Sequence, residues 1–183
     1  MKKMMIPFIL VAVLLLGGIG MYNSVKSARI EVDARYGQVE NQIQRRADLI
    51  PNLVATVKGY MQYEENVLME VTTARAQVAK AASAEEMAAA DAGLSSALGH
   101  LFAVAENYPD LKSDAHVTEL MREISGSENR IAVARRDYNA AIRDYNVTIG
   151  TFPGNIVAKM VGYGEIAPFA ADDKSHAVPE VSF

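Results

Sequence analysis

The sequence predicts an all-α protein: an N-terminal transmembrane helix followed by an antiparallel four-helix bundle with coiled-coil-like packing. Three observations carry this prediction. Met4 to Tyr22 contains no charged residue. Beyond Tyr22, apolar residues recur at alternating spacings of three and four, which holds them on one stripe of a helix with a 3.5-residue period. Proline, capping residues and acid-rich turns fall between the periodic stretches.

The anchor comes first. After a short tail of residues 1–3, the nineteen residues 4–22, at a rise of ~1.5 Å each, cross a hydrocarbon core of ~30 Å. Pro7 stands in the first turn, where a missing N–H costs little. A cleaved signal peptide is the alternative, because two lysines, an apolar run and Gly18-Ile19-Gly20 imitate its three regions. Its apolar core usually has only ~7–15 residues, however, and this longer run leads directly into helix. Lys2 and Lys3 favour an N-terminus inside the cell, whereas Lys26, Arg29 and Arg35 favour the opposite. The orientation adopted places the domain on the periplasmic or extracytoplasmic side.

The bundle domain is expected over 23–163. Its first helix carries the stripe Tyr22, Val25, Arg29, Val32, Tyr36, Val39 and Ile43. Asp48 is expected to cap a second helix with Pro51 in its early turn. That helix carries the stripe Ile50, Leu53, Val57, Tyr60, Glu64, Val67, Val71, Ala74 and Val78. A third starts at Ser83, with Glu86 completing a capping box, and runs through Leu94, Leu98, Leu101, Phe102 and Ala105 to Tyr108-Pro109. The fourth follows Asp114, and Val117, Leu120, Ile124, Ser127, Ile131, Ala134, Tyr138, Ala141, Tyr145 and Thr148 keep the alternation without an error. Arg136-Asp137-Tyr138-Asn139 repeats seven residues later as Arg143-Asp144-Tyr145-Asn146, which puts both tyrosines on the inner face and the charges outside.

Four antiparallel helices return the chain to the bilayer after Ile149. There Phe152, Ile156, Val157, Met160 and Val161 share one face of a short helix over 152–163, with Lys159 off that face. This pattern suits a helix lying on lipid headgroups, and it equally suits a cap over the base of the bundle. Residues 164–183, with four acids and one lysine, read as a disordered tail.

Composition and motifs exclude several chemistries. With no cysteine, disulfides, thiolate catalysis and Cys-based metal sites are excluded. A net charge of −4 offers no basic field for nucleic acid. A di-iron bundle needs two Glu-x-x-His motifs, and none of His100, His116 and His176 has a glutamate at that spacing. Asp110, Asp114, His116 and Glu119 cluster near a helix start, where acids ordinarily cap and complement the helix dipole. Arg45-Arg46 and Asp48 read as dipole complements of two helix ends. Arg29, Glu64 and Arg135 on or beside the seams, together with Tyr138 and Tyr145, are the expected polar helix-packing or oligomer contacts, because charge near a core needs a partner. Neither a catalytic constellation nor a cofactor site is expected.

Arg45-Arg46-Ala47-Asp48-Leu49-Ile50-Pro51-Asn52-Leu53-Val54, then Val57-Lys58-Gly59-Tyr60, resembles the signature of the LemA family of bacterial membrane proteins. Glu106-Asn107-Tyr108-Pro109-Asp110-Leu111-Lys112, Ser127-Glu128-Asn129-Arg130-Ile131, Arg135, Tyr138-Asn139, Tyr145-Asn146 and Phe152-Pro153 extend the resemblance over about Tyr22 to Tyr163. It implies a single-pass protein of the bacterial cytoplasmic (inner) membrane with a helical-bundle domain, no established catalytic function, and links to membrane organisation that include magnetosome formation. Residues 164–183 depart from the family's usual ending. The expected function is therefore non-enzymatic: a bundle that self-associates as a homo-oligomer to organise, scaffold or shape the membrane. The alternative is an adaptor or sensor subunit for a membrane protease or signalling partner. The expected partners are the lipid bilayer, further copies of the chain and a membrane protein, with no nucleic acid.

Overall fold

A computed structural model of the chain describes residues 2–61 and 63–169, and of residues 2–12 and 14 it describes the backbone course alone. The described residues form helices and connections, with no strand among them. In order the helices are α1 (Lys2–Val57), α2 (Glu65–Lys80), α3 (Ala84–Ala105), α4 (Pro109–Ser113), α5 (Ala115–Gly150) and α6 (Gly154–Val161).

Helix α1 corrects one expectation. Asp48 does not start a second helix: α1 runs through Asp48 and Pro51 to Val57, and the Asp48 carboxylate accepts from Gln44 Nε2 at 2.8 Å. A proline inside a helix leaves the carbonyl four residues earlier without its donor. Here that carbonyl belongs to Ala47, and Arg75 Nε of α2 donates to it at 3.4 Å. A neighbouring helix thus supplies the bond Pro51 cannot make. The chain breaks instead after Val57, where Met61, wholly buried, donates its N–H to Val57 O at 3.0 Å.

Ser83 caps α3 as expected, and Glu86 closes the turn one residue earlier than a capping box does, on Ala82 rather than on Ser83. Ser83 Oγ accepts from Glu86 N at 3.1 Å, and Glu86 Oε2 reaches back to Ala82 N at 2.8 Å. Helix α3 is long and apolar enough to cross a membrane, but its Leu94, Leu98 and Leu101 are buried against protein, and the buried Asp91 lies among them, so it serves as a core helix.

The chain divides into two compact units. The first lies within Met1–Tyr36 and Arg136–Pro168. Its interior holds Val25 and Val32 of α1, Tyr138, Ala141, Ile142, Tyr145 and Ile149 of α5, and Ala158 of α6. The second lies within Gly37–Arg135 and Phe169–Phe183. Its interior holds Val39, Ile43, Ile50 and Leu53 of α1, Val71 and Val78 of α2, Leu94, Leu98 and Leu101 of α3, Leu111 of α4, and Val117, Ile124 and Ile131 of α5. Along α5, eight of the ten expected seam residues are buried, Ala134 and Thr148 being half-buried.

The expected tail over 164–183 begins differently. Asn146 donates from Nδ2 to Ile166 O at 2.8 Å and accepts from Ile166 N at 3.0 Å, and Tyr145 Oη donates to Gly164 O at 3.0 Å. Low hydrophobicity in the segment is outweighed because its backbone polar groups find side-chain partners on α5. Residues 170–183 lie outside the described residues, as do the side chains of most of the expected span.

Candidate functional site

Two features of the structure are candidates for function, an outward apolar surface in the first unit and a buried ionic cluster in the second. The surface is built on α6. Gly154 and Ala158, one turn apart, face inward and are buried. A Cβ on Gly154 would stand 2.0 Å from the carbonyl oxygen of Thr148 and 3.7 Å from the Met21 side chain. Only glycine permits that approach, which fixes the rotation of α6 about its axis. Helix α6 then ends at Gly162, whose φ of 74° gives a left-handed cap, with Tyr163 N bonded to Ala158 O at 2.9 Å.

With the small residues inside, the large ones point out. Phe152 is 79% exposed, Ile156 51% and Met160 80%. Val161 and Lys159 are also exposed, and Val157 is half-buried. Among the described residues no protein covers the side chains of Phe152, Ile156 and Met160. In the same unit the described α1 residues Val13, Leu15, Leu16 and Ile19 are exposed apolar side chains as well.

Each expected polar packing residue has an identified surrounding. In the first unit, Arg29 pairs with Asp33 at 3.2 Å and its guanidinium lies 6.0 Å from the Tyr145 ring centre. Tyr138 packs on Tyr36 with ring centres 5.4 Å apart, and burial pushes its phenol pKa up. In the second unit, Glu64 accepts from Tyr108 Oη at 3.0 Å, and Arg135 pairs with Asp91 while its guanidinium stands 5.0 Å from the Phe169 ring centre.

Asp91 is the residue that sequence reasoning missed, together with Arg46. Arg46 is 1% exposed and Asp91 likewise. Arg46 bonds one carboxylate oxygen and Arg135 the other. Arg46 also donates to Ser95 Oγ at 3.0 Å and to Asp91 O at 3.2 Å, and Glu128 stands 3.9 Å away at the surface. Burial pushes the Asp91 carboxyl above the usual carboxylate range, against the pull of both arginines. Sequence did hold a signal. Arg46 continues the stripe of Val39, Ile43, Ile50 and Leu53 at spacings of three and four, and Asp91 does the same between Met87 and Leu94. As the end of a helix, the position expected from sequence, Arg46 would only complement the dipole; inside the continuous α1 it is a seam residue.

Of the acids near the start of α5, Asp114 does the work of a cap, and Glu119 pairs with Arg122. Asp114 Oδ1 accepts from His116 N at 2.8 Å and Val117 N at 3.2 Å, while Oδ2 accepts from Tyr60 Oη at 2.8 Å. Among the described residues no group of three metal-ligating side chains comes together.

The family model described as the LemA family matches residues 35–183. The chain belongs to the LemA family. Magnetosome protein MamQ 2 of Paramagnetospirillum magneticum is 27% identical over 168 residues, covering 78% of this chain and 62% of the relative. MamQ of Magnetospirillum gryphiswaldense is 25% identical over 174 residues, covering 81% and 64%. Protein LemA of Metamycoplasma hominis is 26% identical over 159 residues, covering 85% and 71%. The chain thus spans a little under two thirds of the length of the magnetosome relatives. The stretches through which it resembles the LemA family include the residues found at its polar packing sites: Arg46 in the ionic cluster, Ala47 and Pro51 at the Arg75 bond, Tyr108 at Glu64, and Tyr145 with Asn146 at the 164–166 segment.

Proposed function

We propose that this LemA-family chain is a non-catalytic, single-pass protein of the bacterial inner membrane, anchored through residues 4–22, whose four-helix domain self-associates to organise, scaffold or shape the bilayer. The observation that carries the reading is the outward face of α6. Phe152, Ile156 and Met160 expose large apolar surface in the same unit as the exposed Val13, Leu15, Leu16 and Ile19, and Gly154 of α6 approaches Met21, at the end of the expected span. In water such surfaces are unfavourable by ~25 cal/mol per Å². A bilayer covers both, the anchor in its hydrocarbon and α6 with Val157, Lys159 and Val161 at the headgroup boundary. Relatives named as magnetosome proteins agree with a role at membranes. In this reading the domain lies on the extracytoplasmic side, the orientation that Lys2 and Lys3 favour.

The test is to reconstitute the full chain with a topology reporter at Phe183 and image vesicles and detergent extracts by electron microscopy. Ordered assemblies and altered vesicle curvature are expected. A strictly monomeric chain that leaves vesicle shape unchanged refutes the scaffold.

The adaptor reading rests on a separate observation. In the second unit Tyr63 is 94% exposed and Met69 65%, and large apolar side chains left in solvent are frequent anchors for a protein partner. Stoichiometric co-purification of a membrane protease or signalling protein, lost on Tyr63→Ser, would favour the adaptor.

A further inference from the structure

The exposed face of α6 stands in a cationic part of the chain. Residues 22–30 and 150–163 contain Lys26, Arg29 and Lys159 and no acid, in a chain of net charge −4. Arg29 is neutralised by Asp33 at 3.2 Å, and Glu31 is engaged by Arg35 at 2.7 Å. Asp137 and Asp144 lie on α5, and Glu165 follows α6. Over 22–36 and 136–168 six cations stand against five acids, an excess of one, and Lys26 and Lys159 are the cations that lie against α6 or on it. Lys26 Nζ donates to Tyr163 Oη at 3.2 Å and stands 6.0 Å from the centre of that ring, which ties the α1 cation to the end of α6. Lys159 is exposed beside Met160 on α6 itself.

We propose that this surface selects anionic phospholipid headgroups over zwitterionic ones. Phe152, Ile156 and Met160 supply attachment that is indifferent to headgroup charge, and Lys26 and Lys159 supply the preference. The inference rests on the membrane reading above and adds the class of lipid. A lysine near an anionic bilayer surface changes local affinity up to about fivefold, and added salt screens it within a Debye length of ~10 Å at 0.1 M.

The chain has no cysteine, so Met160→Cys in the full-length protein gives a single site for a fluorescent donor. The protein is reconstituted in mixed phosphatidylcholine and phosphatidylglycerol vesicles carrying a trace of acyl-chain-labelled acceptor of one lipid or the other, its headgroup unmodified. Energy transfer to the phosphatidylglycerol acceptor should exceed that to the phosphatidylcholine acceptor severalfold. Lys159→Gln and Lys26→Gln should each reduce the ratio, and the double variant or 0.5 M salt should bring it near one. Lys159→Gln carries the test if loss of the Tyr163 bond loosens α6 in the other variant. Strong, equal transfer to both acceptors overturns the anionic preference while leaving the membrane reading intact. Transfer to neither lipid overturns both.

Discussion

The two units place different polar groups at equivalent points of their helix seams. In the first, α5 presents Tyr138 and Tyr145, neutral rings buried to 5% and 0% exposure, with the Tyr145 hydroxyl satisfied by a backbone carbonyl. In the second, the seams carry Arg46 and Asp91, held in one ionic cluster with Arg135 of α5. A phenol brings large apolar area and asks for one hydrogen bond. A buried ion has a desolvation penalty of several kcal/mol that only intact partners offset. The first unit should therefore lose stability in small steps as its polar contacts are removed, and the second in one large step.

The largest expected effect is at Asp91. Asp91→Ala leaves buried Arg46 with only the exposed Glu128, at 3.9 Å, as a counter-ion among the described residues and removes the acid that Arg135 pairs with. It should destabilise by ~3–5 kcal/mol, measured by thermal or denaturant unfolding of the detergent-solubilised chain followed by circular dichroism. Replacing the whole cluster with Arg46→Met, Asp91→Leu and Arg135→Met should be neutral or stabilising by ~1–4 kcal/mol. The Nε atoms of both arginines are buried without an acceptor among the described residues, which adds to the cost of keeping the ions. A loss below ~1 kcal/mol in Asp91→Ala would remove the contrast between the units.

That cluster also shows where sequence was legible. Heptad spacing located the α5 seam and Ser83-x-x-Glu86 located the start of α3, because burial stripes and capping boxes are local patterns. Asp48 and Pro51 misled because the same residues start helices elsewhere. Helix α1 continues through them thanks to Arg75, twenty-four positions beyond Pro51, and no local pattern announces a bond from another helix. Arg46 and Asp91 were hidden for the same reason: each alone is a charge at a seam position, and only packing brings them together. On α6 the apolar face was readable, but whether it faced protein or the outside depended on Gly154 meeting Thr148 O, a contact with the end of the preceding helix.

Gly154 gives the next largest effect and probes the first unit's packing. A Cβ there would overlap the Thr148 carbonyl, so in Gly154→Ala helix α6 must shift, at a cost of ~1–3 kcal/mol. Amide exchange over 154–161 should accelerate while exchange in α3 stays unchanged. Unaltered protection over 154–161 would mean that α6 is not held by this approach. Smaller again, Tyr145→Phe removes the bond to Gly164 O and should cost ~0.5–1.5 kcal/mol, with faster exchange at residues 164–166. A cost as large as that of Asp91→Ala would show that the tyrosine seam fails as abruptly as the ionic one.

The smallest effect concerns an ion at the surface of the second unit and separates the consequence of charge from that of burial. Tyr60 and then the amides of Val117 and His116 hold the Asp114 carboxyl below its ordinary range. Folded Asp114 therefore binds its proton less readily than unfolded Asp114, whose pKa is ~3.9. Its contribution to stability is present above about pH 4 and is lost as pH falls through the lower, folded value. Asp114→Asn keeps an oxygen for the His116 and Val117 amides and has no charge to lose. Its unfolding free energy should fall less steeply than wild type below about pH 4, and the two slopes should coincide near neutrality, where neither side chain titrates. Equal acid slopes would show that the Tyr60 and backbone bonds favour the acid and the carboxylate alike. Burial, which makes Asp91 indispensable to its neighbours, would then be the property that distinguishes the two aspartates.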